Sequence, residues 1–409
     1  MTTQTRVLEP EHWDEFYDRL ERAFGGPADH AEERELWRGL TETERSLAVW
    51  DDRGIVGTAG AFSFRMTLPG GSLLPVAGVT MVSVQPTHRR RGVLTSMMRR
   101  QLDDVHEGPE PVAVLTASEP AIYGRFGYGT ATLQMRGDID TTRTFVRELP
   151  GMDAVRLRLV TPEAAREACE AVYARLVPDR AGMLARQPGW DRQALLDPPS
   201  GRDGASPMTC VLAEVDGEVR GYARYAVKLD WSPAGPDNIV KLSDIDALDP
   251  VTYAALWRYL TSIDLSSRIS FWNKPVDDPL LHLFSDVRRC RLSFRDSLHV
   301  RLVDLGEALE ARTYTAPVDV VFEVEDAFCP WNAGRWRLSG DAKGATCART
   351  TDPADLALSV KELGAAYLGG STLRAQAAAG LVRDARPGAL AEASTAFAGD
   401  VQPWLPHGF

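Results

Sequence analysis

The order helix, then strand, turn and strand, occurs twice in this chain, and that recurrence limits its architecture more than any other feature. In the stretch from Val7 to Phe24, Trp13, Phe16, Tyr17, Leu20 and Phe24 lie three and four apart, which places them on one helix face, and Pro10 suits the first turn. From Ser46 to Phe64 two apolar runs flank Asp51-Asp52-Arg53-Gly54, the residue types of a hairpin turn. Leu159 to Leu176 repeats the helix, with Pro162, Glu163 and Glu167 standing where Pro10, Glu11 and Glu15 stood. Cys210 to Val227 repeats the hairpin, with Gly221 and Ala223 in the places of Gly57 and Ala59. Two diverged copies of one unit follow. With 409 residues the chain is too long for a single core. From about Ser297 the texture changes to strands and short helices, ending in an alanine-rich stretch and the apolar tail VQPWLPHGF, which marks a third region.

Composition removes several function classes. Hydrophobic residues make up 44% and charged residues 25%, and no run approaches the ~20 apolar residues of a membrane span. The first residues lack the pattern of a secretory signal, so the expected compartment is the cytoplasm. A net charge of −11 argues against a nucleic-acid-binding surface and is compatible with cationic substrates. The five cysteines form no C-x-x-C pair and read as reduced thiols, and the seven histidines show no metal-binding spacing, so no metal is expected.

One stretch carries chemistry. Val76 to Gln85 is a β-branched strand, Val93 to Val105 a helix, and between them lies Pro86-Thr87-His88-Arg89-Arg90-Arg91-Gly92. A strand entering a helix through a glycine turn is an anion site, because the first-turn N–H groups have no internal partner. The arginines add fixed positive charge. The second copy reads Lys241 to Leu260 at this place, with Asp249-Pro250 at the turn and no R-x-x-G, so one such anion site per chain is expected.

Arg89-x-x-Gly92-x-Leu94 resembles the pyrophosphate-binding motif of the GNAT acetyltransferase superfamily, with Leu94 where a small residue is usual. The longer strings VSVQPTHRRRGVL (Val82–Leu94) and ASEPAIYGRFGYGTA (Ala117–Ala131) closely resemble the Eis family of bacterial N-acetyltransferases. That resemblance implies an α/β (α+β) chain of tandem GNAT-fold domains followed by a sterol-carrier-protein-like α+β domain, here 1–148, 149–296 and 297–409. It implies acetyl-CoA as cosubstrate, held by Val82, Ser83, Val84, Arg90, Arg91, Gly92, Val93, Leu94, Thr95, Ser118 and Glu119. It assigns Tyr123 as the acid that protonates the departing thiolate and the C-terminal carboxylate of Phe409 as the base. Phe24, Trp37 and Met81 match substrate-pocket positions. Gly408 departs from the acidic groups that members acting on polycations carry nearby. A homo-oligomer, trimer or hexamer, is also implied.

From the residues alone, Tyr123 and Tyr128 read equally well as packing, and Phe24 and Trp37 as helix faces in a core. The expected activity is acetyl transfer to amines of a cationic small molecule, such as an aminoglycoside or other polyamine. Protein lysine acetylation, or non-catalytic binding of an acyl-CoA or lipid, are the alternatives.

Overall fold

The computed structural model describes residues 3–25, 29–233 and 235–409. The chain divides into two compact units, one of Met1–Thr132, Arg180–Ala185 and Asp296–Phe409, the other of Leu133–Asp179 and Arg186–Arg295.

The first unit contains, in chain order, β1 (Gln4–Val7), α1 (Trp13–Phe24), α2 (Ala31–Leu40), β2 (Leu47–Asp51), β3 (Gly54–Thr67), β4 (Leu73–Val84), α3 (Val93–His106), β5 (Val112–Thr116) and β6 (Gly129–Thr130). Its main sheet runs β1-β2-β3-β4-β5, then the strand Leu298–Leu302, then β6. Neighbours are antiparallel except β4 and β5. The parallel pairing lasts only from Val76 opposite Val112 to Gly78 opposite Val114. Beyond Gly78 the two strands have no pairing, so one edge of β4 keeps its backbone groups open. A register shift accompanies this: Thr58 faces Ser83, but Gly60 faces Thr80. The extra β4 residue is accommodated at Met81, which takes a φ of 52°. Such a conformation in a non-glycine residue costs on the order of 1–3 kcal/mol. Thr58 pins it, its Oγ1 donating to the Met81 carbonyl at 2.8 Å.

The second unit repeats the plan. Arg156–Val160 leads into α4 (Pro162–Leu176), the hairpin Thr209–Val215 and Glu218–Lys228, the strand Asn238–Ala247, α5 (Pro250–Thr261) and the parallel strand Ser266–Lys274. Its sheet has the same order as the first. Gly57 pairs with Val49 and Val84, and Gly221 pairs with Ala213 and Ala247, so the two glycines matched in sequence occupy equivalent places. Both let a helix approach the sheet: a methyl group on Gly57 would lie 3.1 Å from Val93, and one on Gly221 2.9 Å from Thr252.

The boundaries differ from the spans 1–148, 149–296 and 297–409. The strand Leu133–Asp140 lies next to Ser266–Lys274 in the second sheet, while Leu298–Leu302 lies next to β5 in the first. Each sheet thus takes a strand from outside its own copy. Strand membership is decided by long-range pairing, whereas texture along the sequence reports only local structure.

The rest of the first unit builds a five-stranded sheet around Val318–Glu325, with Gly334–Asp341 on one side and Leu356–Ser359 on the other. Its interior is filled by Phe322, Tyr314, Tyr367, Phe397 and the buried Arg312. The Arg312 guanidinium donates to the carbonyls of Tyr367 and Phe397 and lies 4.7 Å from the Tyr314 and Phe397 ring centres. All five cysteines are free and buried. Among the described residues no helix is long and apolar enough to cross a membrane.

Candidate active site

The diverging ends of β4 and β5 open a cleft of about 1020 Å³, lined entirely by residues of the first unit. Its floor is the stretch Val79 to Val84, paired with β3 on one edge and open on the edge that faces β5. From Val84 the chain turns through residues 85–92, with Arg90 at φ 61° and Gly92 at φ 85°, and Gly92 caps α3 without any side-chain hydrogen bond. Alternation into the left-handed region turns successive N–H groups toward one point, which with a bare helix N-terminus makes an anion-binding concavity. Gly92 has open space where a side chain would stand, leaving the approach clear. The turn is held from behind: the Nε2 of the buried His88 lies 3.2 Å from the Asp51 carboxylate, and Arg89 donates to the carbonyls of Val84 and Ala23.

The corresponding helix of the second unit is closed to an anion. The Asp249 carboxylate caps α5, accepting from the Thr252 amide at 2.8 Å and from Arg220 Nε at 2.9 Å. Burial pulls its pKa up, but those hydrogen bonds outweigh burial and hold it below the usual carboxylate range.

On the other wall, β5 continues to Ser118 and Glu119, and the 3-10 helix Pro120–Phe126 carries Tyr123 into the cleft. Burial first, and the Glu119 charge second, raise the Tyr123 pKa above its ordinary value. The phenol therefore keeps its proton at neutral pH. The Tyr128 ring stands edge-on behind it at 6.0 Å and is buried, so Tyr123 lines the cleft and Tyr128 packs beneath.

The chain's last residue reaches the same cleft. Trp404 and Leu405 are buried, the Trp404 amide donates to Ala181, and Arg180 donates to the Gln402 carbonyl, so the tail is anchored. The Phe409 ring packs edge-on against Phe64 at 4.9 Å, and a methyl group on Gly78 would lie 3.2 Å from it. Phe409 thus sits where the β4–β5 pairing ends.

Val82, Ser83, Val84, Arg90, Gly92, Val93, Leu94, Thr95, Ser118, Glu119, Tyr123, Phe409, Phe24, Trp37 and Met81 all line the cleft. Arg91 lies outside that lining and Arg89 stands within it, because the left-handed Arg90 reverses the chain between them. Phe24 is exposed rather than in a core. Sequence reasoning missed Tyr17, Glu21 and Asp29, which also line the cleft. Tyr17 donates to the Asp29 carboxylate, and the Asp29 amide donates to Glu21 at 2.6 Å. Close by, Glu33 is raised above the usual carboxylate range by burial first and the Asp29 charge second. The available signal was helical spacing: Tyr17, Glu21 and Phe24 share one stripe of α1, with an acid among its large rings.

Family models match the chain as an acetyltransferase (GNAT) domain over residues 4–131, a second acetyltransferase (GNAT) domain over 182–302 and a sterol carrier protein domain over 305–406. An uncharacterized N-acetyltransferase of Streptomyces avermitilis is 64% identical over 409 residues, covering 100% of both chains. N-acetyltransferase Eis of Mycobacterium tuberculosis is 36% identical over 383 residues, 89% of each. The crystal structure of Eis1 from Mycobacterium abscessus superposes with a TM-score of 0.84 at 33% identity, covering 100% of both chains. A chain with this likeness, an open helix N-terminus in its first GNAT unit and a self-capped one in its second, belongs to the Eis family of GNAT N-acetyltransferases.

Proposed function

We propose that this protein transfers the acetyl group of acetyl-CoA directly to an amine of a cationic acceptor, an aminoglycoside or another polyamine. The observation that carries this reading is one cleft joining the uncapped N-terminus of α3, flanked by Arg89 and Arg90, to a group of acids, with Tyr123 and Phe409 on its walls. When bound, acetyl-CoA supplies an activated acyl group as its thioester. The turn and α3 amides hold the pyrophosphate, with Arg90 contributing charge. The unpaired β4 edge from Val79 to Val84 offers backbone groups to align the pantetheine arm. The Phe409 carboxylate takes one proton from the acceptor ammonium, and the neutral amine then attacks the thioester carbonyl; as the C–S bond breaks, Tyr123 donates its proton to the departing sulfur and is reprotonated by the second proton that the acylated nitrogen sheds. No cysteine serves as a nucleophile, since all five are buried.

Acceptor choice follows from charge. Gly408 brings no acid to the tail, and Glu21 and Asp29 place that charge on the α1 side of the cleft instead. A diamine is therefore expected to show about tenfold higher kcat/KM than a monoamine of equal length, roughly the worth of one partly desolvated ion pair. Equal values would overturn the assignment of acceptor class. The raised Tyr123 pKa sets the pH dependence. A general acid works only while protonated, so raising its pKa moves the falling limb of kcat to higher pH. A profile of kcat is expected to show no falling limb up to about pH 9.5; a decline centred near neutrality would remove Tyr123 as the acid.

A further inference from the structure

The strand Leu298–Leu302 places a charge against the turn that follows Tyr123. Arg301, on the strand Leu298–Leu302, is 0% exposed, and its Nη2 donates to the buried Asp326 at 2.7 Å. Asp326 is itself fixed, accepting from the Cys329 amide at 2.9 Å and from Asn332 Nδ2 at 3.1 Å. The remaining donors of Arg301, Nε and Nη1, have no hydrogen-bond partner.

Beside the Cys329 thiol and the Tyr128 phenol, the guanidinium meets backbone. A methyl group on Gly127 would lie 2.8 Å from Arg301 Cζ and Nη1 and 3.0 Å from Nε, so the guanidinium fills the space a side chain would take. Gly127 has a φ of 87° and ends the 3-10 helix that holds Tyr123. Its amide donates to the carbonyls of Gly124 and Tyr123, and the Tyr128 amide also donates to the Tyr123 carbonyl, at 3.3 Å. The Tyr123 carbonyl is therefore held by two amides, one of them from the Gly127 against which the Arg301 guanidinium packs.

We propose that Arg301 is a positioning residue for Tyr123: held by Asp326, its guanidinium sets the height of the Gly127 turn and so fixes where the phenol stands in the cleft. The proposal rests on Tyr123 being the general acid. A buried ion pair adds little to stability compared with apolar packing, but it specifies geometry, and small displacements of a reacting group cost up to about 100-fold in rate. It also gives the strand borrowed by the first sheet a part in catalysis, beyond completing that sheet.

The test is a double-mutant cycle on the full chain, reading kcat and the KM for acetyl-CoA separately. Arg301→Lys keeps the charge but loses the planar fork. It is expected to lower kcat about tenfold with KM changed less than about twofold, and to cause no further loss in a Tyr123→Phe background. Equal losses in both backgrounds, or a loss confined to KM, overturn the proposal while leaving the acid in place. Unchanged kcat in Tyr123→Phe alone overturns the acid assignment and the proposal with it. Asp326→Asn is expected to show the same loss and the same non-additivity, and it carries the test should Arg301→Lys not fold. If neither variant folds, the pair is structural and the proposal falls.

Discussion

Tyr123→Phe is expected to lower kcat about 100-fold while leaving the KM for acetyl-CoA within about twofold, the lower end of the range for loss of a general acid. That corresponds to about 2.7 kcal/mol of transition-state stabilisation. The ring remains, so its edge contact with Tyr128 and its place on the cleft wall survive; only the hydroxyl, and with it the transferable proton, is removed. The split between kcat and KM separates this from a packing defect, which would disturb Ser118, Glu119 and coenzyme binding as well. Steady-state rates of thiol release in both proteins give the answer. A rate within about threefold of the parent would mean the sulfur leaves unprotonated or takes its proton from water.

Extending the chain by one glycine after Phe409 should be comparably damaging, with kcat falling by about 10- to 100-fold. One residue moves the terminal carboxylate by up to about 3.5 Å, more than the reach of a proton transfer. The Phe409 ring can stay against Phe64 and Gly78, and the tail remains anchored through Trp404 and Leu405, so acetyl-CoA is expected to raise the melting temperatures of the extended chain and the parent equally. Retained thermal stabilisation with lost turnover locates the defect at the carboxylate. Full turnover by the extended chain would show that Phe409 contributes only its ring.

The side of the cleft assigned to the coenzyme was legible in the sequence because it is continuous there. A strand, a turn and a helix start run from Val82 to Thr95, and their chemistry depends on backbone conformation that glycine and the R-R-R-G spacing announce. The duplication was legible for the same reason: helix period, hairpin turn and the paired glycines Gly57 and Gly221 are local patterns. The acceptor side was not. Glu21 belongs to α1, whose surface also carries Asp14 and Asp18, all three paired with Arg34 of α2, and only its place in the cleft distinguishes it from an ordinary solvated acid. The exchange of Leu133–Asp140 and Leu298–Leu302 was hidden as well, since a strand's sequence does not name the partner it will pair with. Arg301 carried no signal at all, because an arginine alternating with Leu298, Val300 and Leu302 reads as the solvent face of a strand until the loop bearing Asp326 covers it.

The sterol-carrier-like part of the chain contributes through this packing. Its interior is occupied by Tyr314, Tyr367, Phe397 and the Arg312 guanidinium, whose donors are spent on main-chain carbonyls. Such a core is a scaffold for the C-terminal tail, which crosses it before entering the cleft: a methyl group on Gly370 would lie 2.8 Å from Pro403.

The measurement that bears most directly on the whole account is thiol release from acetyl-CoA by the purified protein, run against aminoglycosides, simple diamines and lysine peptides, with the N-acetylated product identified by mass. The account predicts turnover of at least one polycationic amine, stoichiometric thiol and product, and loss of both in Tyr123→Phe. Protein that binds acetyl-CoA yet acetylates no amine in the panel would contradict it.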